Sequence, residues 1–419
     1  MPKTQYKKGN KKVLRAWAFY DWANSVYALV ISTAIFPLYF GSLFEDNQYV
    51  EVFGINYKNT ALIQHTSTLV FTCLAILIPI LSGIADHKKN KVSFLKFFCY
   101  LGSFCCIGLY FFTIENIYLG LFFYFFALFS FWASLVFYNS YLPEIAFPHQ
   151  QDRISALGFS YGYVGSVLLL LINLLMVLFP STFGFEDTIE PMKISFVMVG
   201  LWWAGFSQYT FHYLPKNQIQ FPQKDILKKS ILFGGFYELK NVWKLIRKQE
   251  SIKKFLLAFF VFSCALQTII LIATYFGEQE IIWREGEKQI GLIISTLLIQ
   301  LIAIIGAIYT AKLSEKIGNI QTLIFLNIFW FILCVGGYFI KYSYEFYVVA
   351  AFVGLVMGGI QALSRSTYSK LIPVTENTCS YFSFYQMCMI LSISLGTFMS
   401  GIVDQLTGSL RNSIIIFAV

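Results

Sequence analysis

The sequence predicts an all-α membrane protein of twelve transmembrane helices, built as two pseudo-symmetric six-helix bundles with the last helix truncated. Composition, the spacing of charge-free stretches and the sidedness of the basic residues carry this expectation. Of 419 residues, 57% are hydrophobic, 19% aromatic and 13% charged, and the mean hydropathy is +0.64. A soluble domain carries about a quarter charged residues, so this chain cannot cover a water-soluble fold with polar groups. A soluble enzyme, a disordered chain and a nucleic-acid-binding domain are excluded on that ground. The formal charge of +9 then asks where the cations sit relative to a bilayer.

A helix needs about 20 residues to cross roughly 30 Å of hydrocarbon. Stretches free of Asp, Glu, Lys and Arg run 22–44, 59–85, 97–114, 116–143, 154–185, 194–215, 255–277, 289–311, 317–340, 346–364 and 377–403. A twelfth begins after Arg411 and stops at Val419, so a fragment, or a chain lacking most of its last helix, is expected. The basic N-terminus leads into a long helix without a small-residue cleavage site and is expected to be mature sequence. With the N-terminus in the cytoplasm, most of the 31 Lys and Arg fall in inside loops and most acids fall outside. That bias places the chain in the cytoplasmic membrane with its N-terminus inside.

The chain divides into an N-terminal bundle (1–214), a basic linker (215–254) and a C-terminal bundle (255–419). In the linker Phe233, Phe236, Leu239, Trp243 and Ile246 recur at helical spacing, with Lys240, Lys244, Arg247 and Lys248 largely elsewhere. This predicts a helix lying on the cytoplasmic membrane surface, either as a solvated linker drawn to anionic headgroups or as a lipid or partner docking site. A weak repeat supports the two halves. Ser82-Gly-Ile-Ala-Asp86-His-Lys-Lys-Asn-Lys91 follows the second span, and Ala311-Lys-Leu-Ser-Glu315-Lys316-Ile-Gly318-Asn follows the eighth. Aligning Asp86 with Glu315 puts an acid followed by bases at matching turns, so Asp86, Lys91, Glu315 and Lys316 are gating-loop candidates.

No catalytic constellation is present: there is no HExxH, GxSxG, P-loop or dinucleotide fingerprint, and no enzyme or cofactor is expected. The eight Cys lie in or beside apolar runs without a CxxC pair, and the four His are scattered. Small weakly polar fillers are therefore expected, not a metal or redox site. Without a phosphate-binding loop, any pumping must draw on a gradient.

The chemistry is expected at polar groups that hydrocarbon tolerates poorly. In Trp17-Ala-Phe-Tyr20-Asp21-Trp-Ala-Asn24-Ser-Val-Tyr27-Ala28, positions 17, 21, 24 and 28 share one helical face, with Tyr20 and Tyr27 beside it. A carboxylate facing lipid costs several kcal/mol, so Asp21 should look into the bundle and carry a proton or meet a substrate ammonium. The bland alternative is a structural ion pair near the rim. In the tenth span Gly354, Gly358, Gln361 and Arg365 form one stripe, and the planar Arg365 fork suits a carboxylate. Asp21 and Arg365, aimed from opposite bundles at one wet vestibule, suit a zwitterion such as an amino acid. Equally, they suit protein partners that close a gate. The run Gly158-Phe-Ser-Tyr-Gly162-Tyr-Val-Gly165-Ser166 points to close helix packing. Gln267, Gln300 and Gln386 are weaker polar candidates.

These segments resemble the major facilitator superfamily, and more narrowly the autophagy-related vacuolar effluxer family, also called the unknown major facilitator family. Four blocks carry the resemblance. They are Ala16-Trp-Ala-Phe-Tyr-Asp21-Trp-Ala-Asn24-Ser, Phe137-Tyr-Asn-Ser-Tyr-Leu-Pro143-Glu144-Ile-Ala, Gly358-Gly-Ile-Gln361-Ala-Leu-Ser-Arg365-Ser and Gln405-Leu-Thr-Gly408-Ser-Leu-Arg411. The second block adds Glu144 to the gating-loop candidates. The resemblance implies a twelve-helix fold with alternating access, its cavity lined by the first, fourth, seventh and tenth helices. Eukaryotic members are associated with amino-acid export from the vacuole. Against the superfamily's Gly-x-x-x-Asp-Arg-x-Gly-x-Arg-Arg motif, Asp86 and Lys91 fit while Ser82, His87 and Lys89 depart. Tyr163 stands where the antiporter motif has Pro, so antiport does not follow. The expected activity is secondary transport of a small organic solute, with protons as a possible coupling ion through Asp21. A sugar, peptide or lipid-precursor carrier shares every feature, and a non-transporting scaffold or receptor would need a soluble partner-binding module.

Overall fold

The structure is a computed structural model that describes residues 7–44, 49–215 and 231–417. The first part of the linker, 216–230, and residues 418–419 lie outside the described residues. The first half holds α1 (Lys11–Val26), a π-helical stretch (Tyr27–Ile35), α2 (Phe36–Ser42) and a hairpin of β1 (Tyr49–Val52) and β2 (Ile55–Lys58). It continues through α3 (Asn59–His87), α4 (Lys91–Gly108), α5 (Ile117–Asn139), α6 (Leu142–Ile145), α7 (Pro148–Leu178) and α8 (Ile189–Tyr213). After α9 (Ile231–Lys248) come α10 (Glu250–Gln279), α11 (Lys288–Ile317), α12 (Asn319–Phe339), α13 (Ser343–Leu371), α14 (Thr378–Thr407) and α15 (Leu410–Ile416).

Local sequence explains the boundaries. Asn10 caps α1, its side chain accepting from Lys12 N at 2.9 Å. Pro37 brings no N–H and a ring that crowds the carbonyl four residues back. The helix widens into the π turn ahead of it, where the Thr33 hydroxyl donates to Ala28 O at 2.9 Å, so Lys11–Ser42 remains one membrane-length element. Gly408, at φ 68°, ends α14 in the left-handed conformation that glycine adopts freely, and the Ser409 side chain accepts from Arg411 N to start α15.

Ten helices among the described residues are long and apolar enough to cross a membrane. The 25-residue α8 carries Glu190, Lys193 and His212 and is not one of the ten, yet it packs against α1 and α4. The charge-free windows underestimate several helices. α1 starts eleven residues before its window, α7 carries Asp152 and Arg153, and α13 carries Arg365 and Lys370. Asp152, Arg365 and Lys370 point between helices instead of marking loops, while Arg153 is exposed.

In the first half α1 packs on α7 and α8, α4 on α5 and α8, and α3 on α5. In the second α10 packs on α14, and α13 on α11 and α12. The two halves meet along two seams, α7 against α11 and α13, and α3 against α14. α11 and α13 approach backbone to backbone, because a Cβ on Gly354 or Gly358 would collide with the carbonyls of Ile299 and Ala303. In the linker helix, α9 lays Val242 and Ile246, both buried, against protein, packing along α3 and touching α14, while Trp243 and Leu245 stay exposed.

Candidate functional site

Asp21 on α1 and Arg365 on α13 meet across the halves. Arg365 Nη1 donates to Asp21 Oδ2 at 3.0 Å, and Tyr138 OH donates to the same oxygen at 2.9 Å. The rest of the guanidinium is also held: Nε donates to Ser155 Oγ at 2.9 Å, Nη2 to Ser155 O at 2.8 Å, and Nη1 to Asn139 Oδ1 at 3.4 Å. Its Cζ lies 4.2 Å from the Phe159 ring centroid and 4.9 Å from that of Trp17, aromatic neighbours that suit a weakly hydrated cation. Trp17 is fixed in turn by its indole N–H on Tyr138 O at 2.9 Å. Asp21 and Arg365 are 5% and 3% exposed. They face each other from opposite bundles, as expected, but no wet vestibule separates them here. In a low-dielectric interior each charge is the other's best available partner, so they close on each other.

Glycine makes the closure sterically possible. A Cβ on Gly158 would lie 2.5 Å from Asp21 Oδ2 and 2.9 Å from Arg365 Nη2. At Gly165 it would lie 2.9 Å from Trp22 O, so the glycine run of α7 seats that helix on α1.

The other sequence candidates divide. Gln361 is next to the pair on α13, and its Oε1 accepts from Tyr163 OH at 2.8 Å, a further link between the halves. Asn24 is 1% exposed with its Nδ2 unpartnered. Tyr20 and Tyr27 both turn into the first bundle. Tyr20 OH accepts from Trp203 Nε1 at 3.4 Å, and Tyr27 stacks on Phe131 at 4.9 Å. They lie on the flank of α1 that meets α5 and α8, and the Tyr20 ring packs 4.9 Å from that of Tyr138, the donor to Asp21. Gln267 is half-buried on α10 and makes no side-chain hydrogen bond among the described residues.

Two charged clusters flank the pair. Asp86 ends α3 and receives Cys379 N at 3.1 Å, Ser380 N at 2.7 Å and Ser380 Oγ at 2.7 Å. It thus satisfies the free amides and positive end of α14. Lys91, 3% exposed, lies 2.5 Å from Glu144, and Thr378 Oγ1 donates to Glu144 at 2.8 Å. Lys89 pairs with Glu376 at 2.9 Å. The N-terminal segment is pinned to this corner, since Gly9 N donates to Ile145 O and Lys8 Nζ to Pro143 O. Burial there lowers the Lys8 ammonium pKa, and the Glu144 charge opposes the shift without reversing it.

The second cluster is built from residues the sequence did not single out. Lys370 Nζ lies 2.5 Å from Asp152 Oδ2, which also receives Ser314 Oγ at 3.1 Å. Asn319 Nδ2 donates to Asp152 Oδ1 at 2.8 Å and to Thr367 Oγ1 at 3.0 Å. Glu315 and Lys316 are exposed and pair with nothing among the described residues, because the turn of α11 aims Ser314, not its neighbours, at α7. Tyr138, Asn139, Ser155 and Asp152 were missed. The first two lay within the quoted block around Pro143, a signal not resolved to single residues. Among the described residues no group of three or more His, Cys, Asp or Glu is placed to hold a metal ion.

Known proteins match this architecture. The family model described as "Vacuole effluxer Atg22 like" matches residues 9–419. An uncharacterised major-facilitator-type transporter of Bacillus subtilis, YxiO, is 30% identical over 94% of this chain and 88% of its own. Autophagy-related protein 22 of Pichia angusta is 25% identical over 93% of this chain and 76% of its own. Among solved structures, the major facilitator transporter FucP in the outward conformation superposes with TM-score 0.70 at 13% identity, covering 98% of this chain and 95% of that one. The chain belongs to the Atg22-like vacuole effluxer family, as a multi-pass membrane transporter of the major facilitator type.

Proposed function

We propose that this transporter moves a small zwitterionic organic solute, such as an amino acid, and that the Asp21–Arg365 pair is the bond broken and remade in each alternating-access cycle. The observation that carries the reading is the location of the pair. It joins α1 to α13, is sealed from water and is cradled by α5 and α7, so the halves cannot part around it without separating two buried charges. Leaving one such charge unpaired costs about 3–5 kcal/mol. A solute bearing an ammonium and a carboxylate supplies both replacements, the ammonium to Asp21 and the carboxylate to the Arg365 fork. A proton on Asp21 is the alternative route to releasing Arg365. The basic-loop bias supports a cytoplasmic position for the Asp86 and Asp152 clusters, and with it a reading of this arrangement as closed towards the cytoplasm.

The test is flux in proteoliposomes containing the purified chain, with labelled amino acids, sugars and short peptides offered in parallel. Amino-acid flux is expected, falling at least about tenfold in Arg365→Lys, which keeps the charge but not the bidentate fork. Flux of neutral sugars alone, or full flux in both Asp21→Asn and Arg365→Lys, would remove the zwitterion reading. Asp21→Asn retaining pH-gradient-driven uptake would remove the proton route.

A further inference from the structure

We infer that α9 is a strap across the α3–α14 seam whose outer face binds the headgroups of anionic phospholipids. The apolar side of this helix is already occupied by protein. Val242 and Ile246 are 0% and 3% exposed, and Trp243 stacks on Phe384 of α14 at 5.4 Å while the helix runs along α3. It therefore touches both halves at the end where Asp86 caps α14. On a helical wheel Lys240, Lys244, Arg247 and Lys248 share a sector of about 100°, opposite Val242 and Ile246.

All four cations are exposed, and none pairs with a carboxylate among the described residues. Lys253 and Lys254, just beyond, differ in that both lie within 4.0 Å of Glu250. The four instead present one sign of charge along two turns, outward from a protein whose neighbouring helices are of membrane length. Trp243 and Leu245, 43% and 47% exposed, border the stripe with apolar surface that suits the headgroup–acyl boundary. Arg247 lies 5.0 Å from the Trp243 ring centroid, so the cationic stripe and the contact to α14 are physically joined. Phosphate diesters held in a bilayer match this surface in charge, in height and in the apolar border. An anion free in solution matches only the charge. Lipid bound here adds to the contacts that keep α3 and α14 together, and so favours the arrangement in which Asp86 caps α14.

Hydrogen exchange on the full chain in nanodiscs tests this without reference to any cargo. Phosphatidylcholine discs are compared with discs containing phosphatidylglycerol. Protection of the α9 amides and of the first turns of α14 is expected to rise about tenfold with the anionic lipid. The response should vanish in Lys240→Gln/Lys244→Gln/Arg247→Gln/Lys248→Gln and persist in Lys240→Arg/Lys244→Arg/Lys248→Arg, which controls for folding. Equal protection in both lipids, or an undiminished response in the Gln variant, would overturn the inference. So would the same protection from inorganic phosphate added to phosphatidylcholine discs, which would assign the stripe to dissolved anions.

Discussion

Asp152 and Lys370 meet 2.5 Å apart on the two helices, α7 and α13, that also carry Ser155 and Arg365. Ser155 follows Asp152 by three residues and Arg365 precedes Lys370 by five, so both contacts join the same two helices across the halves. Asp152 is the more buried partner and accepts from Lys370, Ser314 and Asn319. Removing it takes an acceptor from three donors, which retain Asn319 Oδ1, Ala311 O and Thr367 Oγ1 as their other partners, whereas removing Lys370 takes one donor from a carboxylate that keeps two. Asp152→Ala should therefore destabilise the closed seam by about 1–3 kcal/mol, and Lys370→Ala by less. A double-mutant cycle on thermal unfolding of the purified protein measures the coupling. Strict additivity of the two changes would show that the contact contributes nothing.

Arg365→Ala should be among the most destabilising single changes in the chain, because it leaves the Asp21 carboxylate buried with only Tyr138 as a described donor. The expected loss is about 3–5 kcal/mol. Asp21→Asn should cost less, since Arg365 keeps Ser155 and Asn139. The pair Asp21→Asn/Arg365→Gln, which removes both charges, should recover part of the Arg365→Ala loss. Melting temperatures in one detergent decide the order. A double variant less stable than Arg365→Ala would mean that shape, not charge, governs the site.

The membrane-length helices were legible because lipid leaves a spanning backbone no other way to satisfy its hydrogen bonds, which forces long charge-poor runs. Asp21 and Arg365 were legible for the converse reason, as ionisable groups inside such runs. Asp152 was not. It follows Glu144 in a stretch that looks like a loop, and only Pro148 at the first turn of α7 shows that the helix has already begun. Tyr20 and Tyr27 mislead because a helical wheel gives a side chain its direction but not its neighbour, and their direction is the aromatic core around Trp203. The Glu315 alignment matched charge with charge, whereas the fold uses the hydroxyl of Ser314 and the amide of Asn319 at that turn. For α9 the amphipathic pattern was legible. That a protein surface, α3, covers the apolar side was not, since one apolar face fits lipid and protein equally.

Gly158→Ala tests the geometry of the pair with a single methyl group. The new Cβ would fall at the joint between Asp21, Arg365 and Tyr138, whose side chains are buried and hydrogen-bonded to one another. A loss of about 1–3 kcal/mol is expected from this overpacking, against any gain in helix propensity. Gly205→Ala on α8 is the control, because nothing lies within 4 Å of its added Cβ. That variant should be neutral or more stable by up to about 1 kcal/mol. If both substitutions behave alike in thermal unfolding, the close fit at Gly158 is not a constraint.

Acid should loosen the far end of the second bundle through Glu280. This carboxylate follows α10 and meets Arg411, whose Nε donates to Oε2 at 2.9 Å, while Ser409 Oγ donates to Oε1 at 2.6 Å. Arg411 also reaches Tyr338 O at 2.8 Å and Glu280 O at 2.6 Å, tying together the chain ends around α12 and α15. Burial alone would raise the Glu280 pKa. The hydrogen bonds from Ser409 and Arg411, with the Arg411 charge, outweigh it and hold the group below the ordinary carboxylate value of 4.5. A pKa lower in the folded than in the unfolded state means that the unfolded chain binds the proton more readily. The stabilisation is therefore complete above about pH 5 and is lost as pH falls through the depressed folded value. Unfolding temperatures of the wild type and Glu280→Gln should differ at pH 7 and converge towards pH 3, since protonation and the amide both remove the charge. A gap that stays constant across that range would mean that Arg411 is held by the backbone carbonyls, with the Glu280 charge contributing nothing.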